Sequence, residues 1–235
     1  MRLWKVDFAR GCAVVAMVLF NWLFALDFFG LTEFDASQGF WWAFARITGG
    51  AFVLIAGVSL WLSCFKRSRA EIALRGLKVF CLGLGITAAT ALFLKQGAVV
   101  FGILHSIGVS TILGIAFLGW SEKRLLVFSL LAVLSGAALS FFSFGFPWLL
   151  WLGLQPAGFY TLDYFPLLPW FGVFTAGVAL GKKVYPARAV EPRRGPPAFA
   201  RSLVFLGRHS LGIYLAHQPL LVVVLYAFGL NPLGF

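Results

Sequence analysis

The chain has 235 residues, of which 61% are hydrophobic and only 11% charged, and its formal net charge is +11. Because a soluble domain needs roughly a quarter of charged residues to cover its surface, this composition excludes an ordinary soluble protein. A transmembrane β-barrel would show short segments of alternating polarity, and the sequence shows no such pattern.

Seven apolar blocks of about 20 residues, the length that crosses a bilayer as a helix, follow one another along the chain. They are Val6–Phe28, Phe40–Phe65, Leu77–Leu94, Val99–Gly119, Leu125–Phe142, Tyr164–Gly181 and Ser202–Phe228. The Trp-rich segment Gly145–Leu154 is too short to span and is predicted to be interfacial or re-entrant. The sequence therefore predicts an all-α, polytopic transmembrane helix bundle of about seven spans, forming a single domain over residues 1–235.

The basic residues are concentrated on one side of the predicted bundle. Of the 19 Lys and Arg residues, all but Arg46 and Lys95 lie at the N-terminus, in the loops 66–78 and 122–124, or in segment 182–208. The positive-inside rule then places the N-terminus in the cytoplasm and the C-terminus outside the cell membrane. Anionic lipid headgroups are a sufficient partner for the positive charge, and nucleic acid binding is not expected.

Ionisable and polar residues inside spans are energetically costly and point to function. The inner group comprises Asp7, Arg10, Arg208 and His209. The outer group comprises Asp27, Arg46, His105 and Asp163, with Asn21, His217 and Gln218 between or near it. Such a column predicts a protein that handles a polar molecule across the bilayer. No metal site is predicted, because the three cysteines lack ligand spacing.

Several of these residues also have a structural interpretation. Asp7 and Arg10 can form an ordinary i,i+3 pair at a helix start. Asp27 and Arg46 can form an ion pair between the first two spans. Asp163 can cap the start of the sixth span.

The intramembrane histidines are the strongest candidates for chemistry. A lone imidazole can be satisfied by one backbone or hydroxyl partner, but His105 and His217 both occur near acidic groups in the same membrane half. An imidazole there can act as a general base or a proton relay near neutral pH. His209 can simply belong to the basic cluster, and Asn21 can hydrogen-bond between helices.

Six stretches of the chain occur in the order typical of one known family. They are Val6–Gly11 followed by Asn21, Asp27–Gly30, Gly39–Trp42, Phe101–Val109, Asp163–Gly172 and Gly207–Pro219. Together they resemble the heparan-α-glucosaminide N-acetyltransferase family of membrane acyltransferases, particularly its short prokaryotic members. The resemblance implies transfer of an acetyl or other acyl group from cytoplasmic acyl-CoA to a polar acceptor, often an amino sugar, reached from the opposite side.

Simple chemistry agrees with this resemblance. Arginines of the inner group can hold the pyrophosphate of acetyl-CoA, a histidine can deprotonate the acceptor, and Asn21 or Arg46 can stabilise the oxyanion. The predicted catalytic residues are His105, His217, Asp27, Asn21, Arg46 and Asp163. The predicted CoA-binding residues are Arg10, Asp7, Arg208 and His209.

The choice of base needs care, because the family's histidine follows the first span and Leu31–Asp35 contains none. His105 is therefore the predicted base, with His217 as the second candidate. A proton-coupled transporter using Asp27, Arg46 and the histidines is the alternative, although the two halves show no internal repeat. The acceptor's identity and a possible homo-oligomer are left open.

Overall fold

The computed structural model describes residues 3–28, 30–31, 38–94, 97–186 and 195–229. Its α-helices are α1 (Trp4–Phe28), α2 (Gly39–Ser63), α3 (Arg69–Phe93), α4 (Ile103–Gly114), α5 (Glu122–Leu139), α6 (Leu167–Val184), α7 (Arg201–Arg208) and α8 (Ser210–Ala227). Short 3₁₀ turns follow α4 and precede α7. The predicted all-α class is confirmed.

Four of the described helices, α1, α2, α3 and α8, are long and apolar enough to cross a membrane. This finding supports the membrane class predicted from composition. Helices α4, α5 and α6 lie within the predicted fourth, fifth and sixth spans or overlap them, but do not meet the same criterion of length and hydropathy. The count of seven spans and the cytoplasmic N-terminus therefore stay predictions.

The sequence-based bounds were wrong at two helix starts for identifiable reasons. The third helix begins at Arg69 rather than Leu77, because Ser68 and Glu71 form a capping box with bonds of 3.2 and 2.7 Å. These two bonds satisfy backbone N–H groups that a helix start otherwise leaves unpaired. The last predicted span is broken at His209, whose ψ of 13° is not helical, so the final long helix begins only at Ser210.

The Trp-rich segment before α6 forms successive turns rather than a helix. Its backbone is tied to the start of α6, since Leu167 donates its N–H to the Trp151 carbonyl at 2.8 Å. Trp148 is 74% exposed and Trp151 44% exposed. Exposed indoles of this kind are typical of residues at the level of lipid headgroups.

The chain packs as two compact units, one formed by Met1–Phe52 with Glu191–Phe235 and the other by Val53–Val190. We call the first the terminal unit and the second the central unit.

In the terminal unit, α7 and α8 both pack against α1. A Cβ on Gly11 would overlap the Leu203 carbonyl, and a Cβ on Gly207 would overlap the Asp7 carbonyl. These glycines therefore let the α1 and α7 backbones touch, as small residues do at helix crossings. Leu203, early in α7, lies at Gly11 of α1, and Gly207, late in α7, lies at Asp7 of α1. Residue numbers thus rise along α7 as they fall along α1, so the two helices are antiparallel.

The chain then turns at His209, and α8 runs parallel to the C-terminal half of α1. Gln218 hydrogen-bonds Asn21, and Leu221 and Leu225 form a buried cluster with Ala25.

In the central unit, the second half of α2 crosses α6 at a pair of glycines. A Cβ on Gly57 would overlap the Phe174 carbonyl, and a Cβ on Gly177 would overlap the Leu54 carbonyl. Elsewhere in this unit α3 packs on α4, and α5 packs on α6. The two glycines therefore let the backbones of α2 and α6 touch, while side chains such as Phe174 and Leu125 fill the buried core of the unit.

Candidate functional site

The predicted inner group is largely brought together in the terminal unit. Asp7, only 6% exposed, accepts from Arg10 Nη1 at 3.3 Å and from Arg208 Nε at 3.4 Å. The carboxylate thus connects the first turns of α1 to the end of α7. Two guanidinium groups and one carboxylate leave this trio, which we call the inner cluster, with a net positive charge.

His209, also assigned to this group, is exposed and lies apart from the inner cluster's bonds. Its Nδ1 is 2.9 Å from the Phe205 carbonyl, and its ring centroid is 4.3 Å from that of Phe205. The imidazole therefore contacts the last turn of α7, next to the break between α7 and α8.

A surface hollow of about 630 Å³ lies along α7 beside the inner cluster. Its lining residues are Pro196, Arg201, Ser202, Val204, Phe205, Leu206 and Arg208. Arg201 and Arg208 thus lie next to apolar side chains of the same hollow. Guanidinium groups bind phosphate oxygens in a bidentate manner, so the hollow suits an anionic group that carries an extended, partly apolar arm.

Asn21 joins α1 to α8 by a side-chain hydrogen bond. Its Nδ2 donates to the Met17 carbonyl at 2.9 Å, which leaves its Oδ1 to accept from Gln218 Nε2 at 3.3 Å. The interhelical role considered for Asn21 is therefore present in the structure.

His217 immediately precedes Gln218 on α8 and is 6% exposed. Its Nδ1 is 2.7 Å from the Tyr214 carbonyl, and because a carbonyl only accepts, Nδ1 carries the proton. In the neutral imidazole the lone pair then lies on Nε2. Nε2 is buried and makes no hydrogen bond to any described residue, so this lone pair is available to a ligand.

Trp22 was not singled out from the sequence, where only its position next to Asn21 distinguished it from eight other tryptophans. Its indole packs against the cluster of Ala25, Leu221 and Leu225. The Nε1 atom is buried and makes no hydrogen bond to any described residue. A donor of α1 and an acceptor of α8 are thus both unpaired in this part of the terminal unit.

The structure gives Arg46 an aromatic neighbour in place of the Asp27 ion pair considered from the sequence. The Arg46 guanidinium lies over the Trp42 ring, 4.5 Å from its centroid. Among the described residues, the contact of Arg46 is therefore within its own helix.

In the central unit, His105 is 2% exposed and both its ring nitrogens are occupied. Gly102 donates its N–H to Nδ1 at 3.2 Å, so in the neutral ring the proton is on Nε2. That nitrogen lies 3.4 Å from Thr87 Oγ1, and the Thr87 hydroxyl donates to the Val99 carbonyl at 2.6 Å. This chain of bonds leaves no free lone pair on His105.

Asp163 caps a helix, but not the one predicted. Its Oδ2 accepts the N–H of Ile103 at 3.0 Å, so it caps α4 rather than the following helix. The loops before α4 and α6 pair where Phe165 donates to the Phe101 carbonyl at 2.9 Å. This pairing carries Asp163 to the start of α4, where a carboxylate is favoured.

Sequence reasoning also passed over two buried serines. Ser106 and Ser110 lie one turn apart on α4, are fully buried, and have hydroxyls without a hydrogen bond to described residues. In the part of the chain that the structure describes, no group of three His, Cys, Asp or Glu side chains could hold a metal ion.

One comparison with known proteins gives a match. A family model described as heparan-alpha-glucosaminide N-acetyltransferase, catalytic, matches residues 2–219, a range that contains every candidate residue discussed above. Neither the curated proteins nor the solved structures contain a match to the chain.

Proposed function

The chain belongs to the heparan-alpha-glucosaminide N-acetyltransferase catalytic family, as its sequence motifs predicted, and on that premise we propose that it transfers an acyl group from acyl-CoA to a polar acceptor, with His217 as the general base. The family implies acetyltransferase activity, and the apolar helices agree with a membrane protein. The identity of the donor, the side from which each substrate enters and the base are parts of the proposal.

The donor is proposed to dock at the inner cluster and the hollow along α7. Arg208 belongs to both, and Arg201 adds a second guanidinium to the hollow. Asp7 holds Arg10 and Arg208 at fixed positions and so pre-organises the positive charge. Phosphate groups of acetyl-CoA would bind the arginines, while the pantetheine arm would lie along the apolar wall.

The single observation that carries the choice of base is the buried Nε2 of His217, which has no hydrogen-bond partner among the described residues. The Tyr214 carbonyl fixes the tautomer that a base requires, as a positioning group does in many catalytic sites. His105 does not offer this, because Gly102 and Thr87 occupy both of its nitrogens. We therefore assign the base to His217 and a structural role at the start of α4 to His105.

The chemistry follows from this assignment. The acceptor attacks the thioester carbonyl while its proton passes to His217 Nε2. The C–S bond breaks, and the imidazolium returns the proton to the departing CoA thiolate. At about 1.5 Å per residue, His217 lies about 12 Å along α8 from His209. This separation supports a base within α8 and donor phosphates near the N-terminal end of that helix.

Radiolabelled acetyl-CoA, incubated with detergent-solubilised protein and amino-sugar acceptors, tests the proposal. We expect His217→Ala to lower the transfer rate by roughly 10²–10⁴-fold, the usual contribution of a general base, without loss of CoA binding in calorimetry. The matched variant His105→Ala should lower thermal stability and leave kcat/KM within a few-fold.

Full activity in His217→Ala would refute the choice of base. Absence of CoA binding, together with substrate uptake in liposomes, would refute the transferase and favour a carrier.

A further inference from the structure

Three side chains that line the hollow along α7 lie in one row on that helix. Arg201, Phe205 and Arg208 all belong to the lining, and they are four and three residues apart, the spacing of neighbours on one helix face. An adjoining face buries Val204 and Gly207 and anchors α7 to α1. The row, which we call the α7 row, therefore presents a phenyl ring between two guanidinium groups to the same hollow.

Asp7 orients the guanidinium at one end of the α7 row. Its carboxylate, which is 6% exposed, accepts from Arg208 Nε at 3.4 Å. A guanidinium has five N–H donors, and the four on Nη1 and Nη2 lie outside this ion pair. Those two groups form a fork that matches two oxygens of one phosphate. Arg208 is therefore a phosphate-binding group whose free edge is positioned by Asp7.

The spacing of the α7 row favours two phosphates rather than one. Arg201 precedes Arg208 by seven residues, which is about 10 Å along the helix. Phe205 lies between them and is 60% exposed, so its ring is accessible to a ligand. The row therefore suits two anionic groups held apart by a flat, partly apolar group.

The nucleotide end of CoA has this chemistry. It carries a pyrophosphate on the 5′ oxygen of its ribose and a separate phosphate on the 3′ oxygen, with the ribose and the adenine between or beside them. Purine bases stack on aromatic side chains. The volume of the hollow, about 630 Å³, lies within the range of about 300–1,000 Å³ that is usual for small-molecule sites. A lipid headgroup with a single phosphate would leave one arginine and the phenyl ring unused.

We propose that Arg201 binds the 3′-phosphate of CoA, Phe205 its adenine and Arg208 its pyrophosphate, so that Arg201 selects CoA over acyl donors without a 3′-phosphate. The inference rests on the proposed function and deepens it. The pantetheine arm leaves CoA at the pyrophosphate and has to reach His217. Because α8 begins at Ser210, directly after Arg208, the pyrophosphate belongs at the Arg208 end of the row and the 3′-phosphate at the Arg201 end.

Calorimetry on the full-length protein in detergent tests this with acetyl-CoA and its 3′-dephospho form. The wild type should bind the dephospho form about tenfold more weakly, because one charge-assisted contact is lost. Arg201→Gln should weaken acetyl-CoA binding about tenfold and leave the affinity for the dephospho form unchanged. Arg208→Gln should weaken both, and Arg124→Gln, on α5 and outside the hollow, should weaken neither. Equal wild-type affinity for the two donors, or an equal loss for both in Arg201→Gln, would overturn the assignment.

The aromatic position has a matched control on the same segment. Phe199 is 78% exposed but does not line the hollow. Phe205→Leu should lower the affinity for acetyl-CoA roughly fivefold, because a base loses its aromatic partner, and should leave the affinity for acetyl-phosphopantetheine, which has no adenine, unchanged. Phe199→Leu should bind both as the wild type does. Unchanged acetyl-CoA affinity in Phe205→Leu would overturn the place given to the adenine.

Adenosine 3′,5′-bisphosphate separates failure of this inference from failure of the proposed function, because it has neither the pantetheine arm nor an acyl group. If it binds and Arg201→Gln weakens it, while acetyl-CoA supports no acyl transfer, the nucleotide site is kept and the transferase is refuted. Transfer with equal kcat/KM from acetyl-CoA and its dephospho form would keep the transferase and overturn the site. Thermal stabilisation by phosphatidylglycerol that is lost in Arg201→Gln, with none by the bisphosphate, would assign the α7 row to lipid and also overturn the site.

Discussion

Thr87→Val tests how the imidazole of His105 is held. The substitution replaces a hydroxyl by a methyl group of similar size, so the shape of the α3–α4 contact is kept. It removes the donor to the Val99 carbonyl at 2.6 Å and the group 3.4 Å from His105 Nε2. Both lost partners belong to buried residues.

The expected loss of stability follows from these two distances. The short bond to Val99 contributes most, whereas the contact to His105 is near the limit of a hydrogen bond and contributes less. A buried group left without its partner costs about 1–3 kcal/mol, so we expect a total of about 2 kcal/mol. For a chain of this length that corresponds to a fall in melting temperature of roughly 4–8 °C.

Thermal unfolding in detergent measures this effect, and Thr111→Val is the control. The Thr111 hydroxyl donates to the Ile107 carbonyl of its own helix at 2.7 Å, and that carbonyl keeps its backbone partner. The control should therefore melt close to the wild type. If Thr87→Val melts at the wild-type temperature, the bond chain around His105 does not hold the ring. If it lowers kcat without loss of stability, His105 rather than His217 takes part in the chemistry.

Two further variants test the helix crossing in the central unit and the donor site. Gly57→Ala should destabilise the protein by about 1–3 kcal/mol in thermal unfolding, because the new Cβ overlaps the Phe174 carbonyl. The control Gly85→Ala, whose Cβ would meet nothing within 4 Å, should be neutral or stabilising. Equal stability of the wild type and both variants would contradict the crossing of α2 and α6. Arg208→Gln should weaken CoA binding in calorimetry about tenfold, because one charge-assisted contact is lost. The control Arg67→Gln, outside the hollow, should bind CoA as the wild type does. Unchanged affinity in Arg208→Gln would show that the hollow does not bind the donor.

Hydropathy and local signals were sufficient for the class of the protein and for some helix ends. Apolar blocks of membrane-spanning length predicted the helices, because about 20 predominantly apolar residues cross the bilayer core and a helix satisfies its own backbone hydrogen bonds there. The capping box of Ser68 and Glu71 is a local pattern, since its two residues are three apart, but the predicted start at Leu77 did not use it. The break at His209 was missed because the last span was drawn through Arg208 and His209 on the hydropathy of the whole block, and hydropathy gives no information on the backbone angle of one residue.

The candidate site was only partly predictable. The inner cluster could be anticipated, because Asp7, Arg10 and Arg208 were all expected at the same side of the membrane. The preferred base was not, since the sequence alone does not say which nitrogen of a histidine is already occupied. Hydropathy did not reveal that Asp163 would cap α4.

By itself, the sequence determined that this is an all-helical membrane protein of the heparan-alpha-glucosaminide N-acetyltransferase family, because composition and ordered motifs are properties of the chain alone. Only the tertiary structure decided which polar atoms are satisfied. The partners concerned are distant in sequence: Asp163 and Ile103 are 60 residues apart, and Asn21 and Gln218 are 197 apart. A hydrogen bond depends on distances of a few tenths of an ångström between such groups, and those distances exist only once the helices have packed.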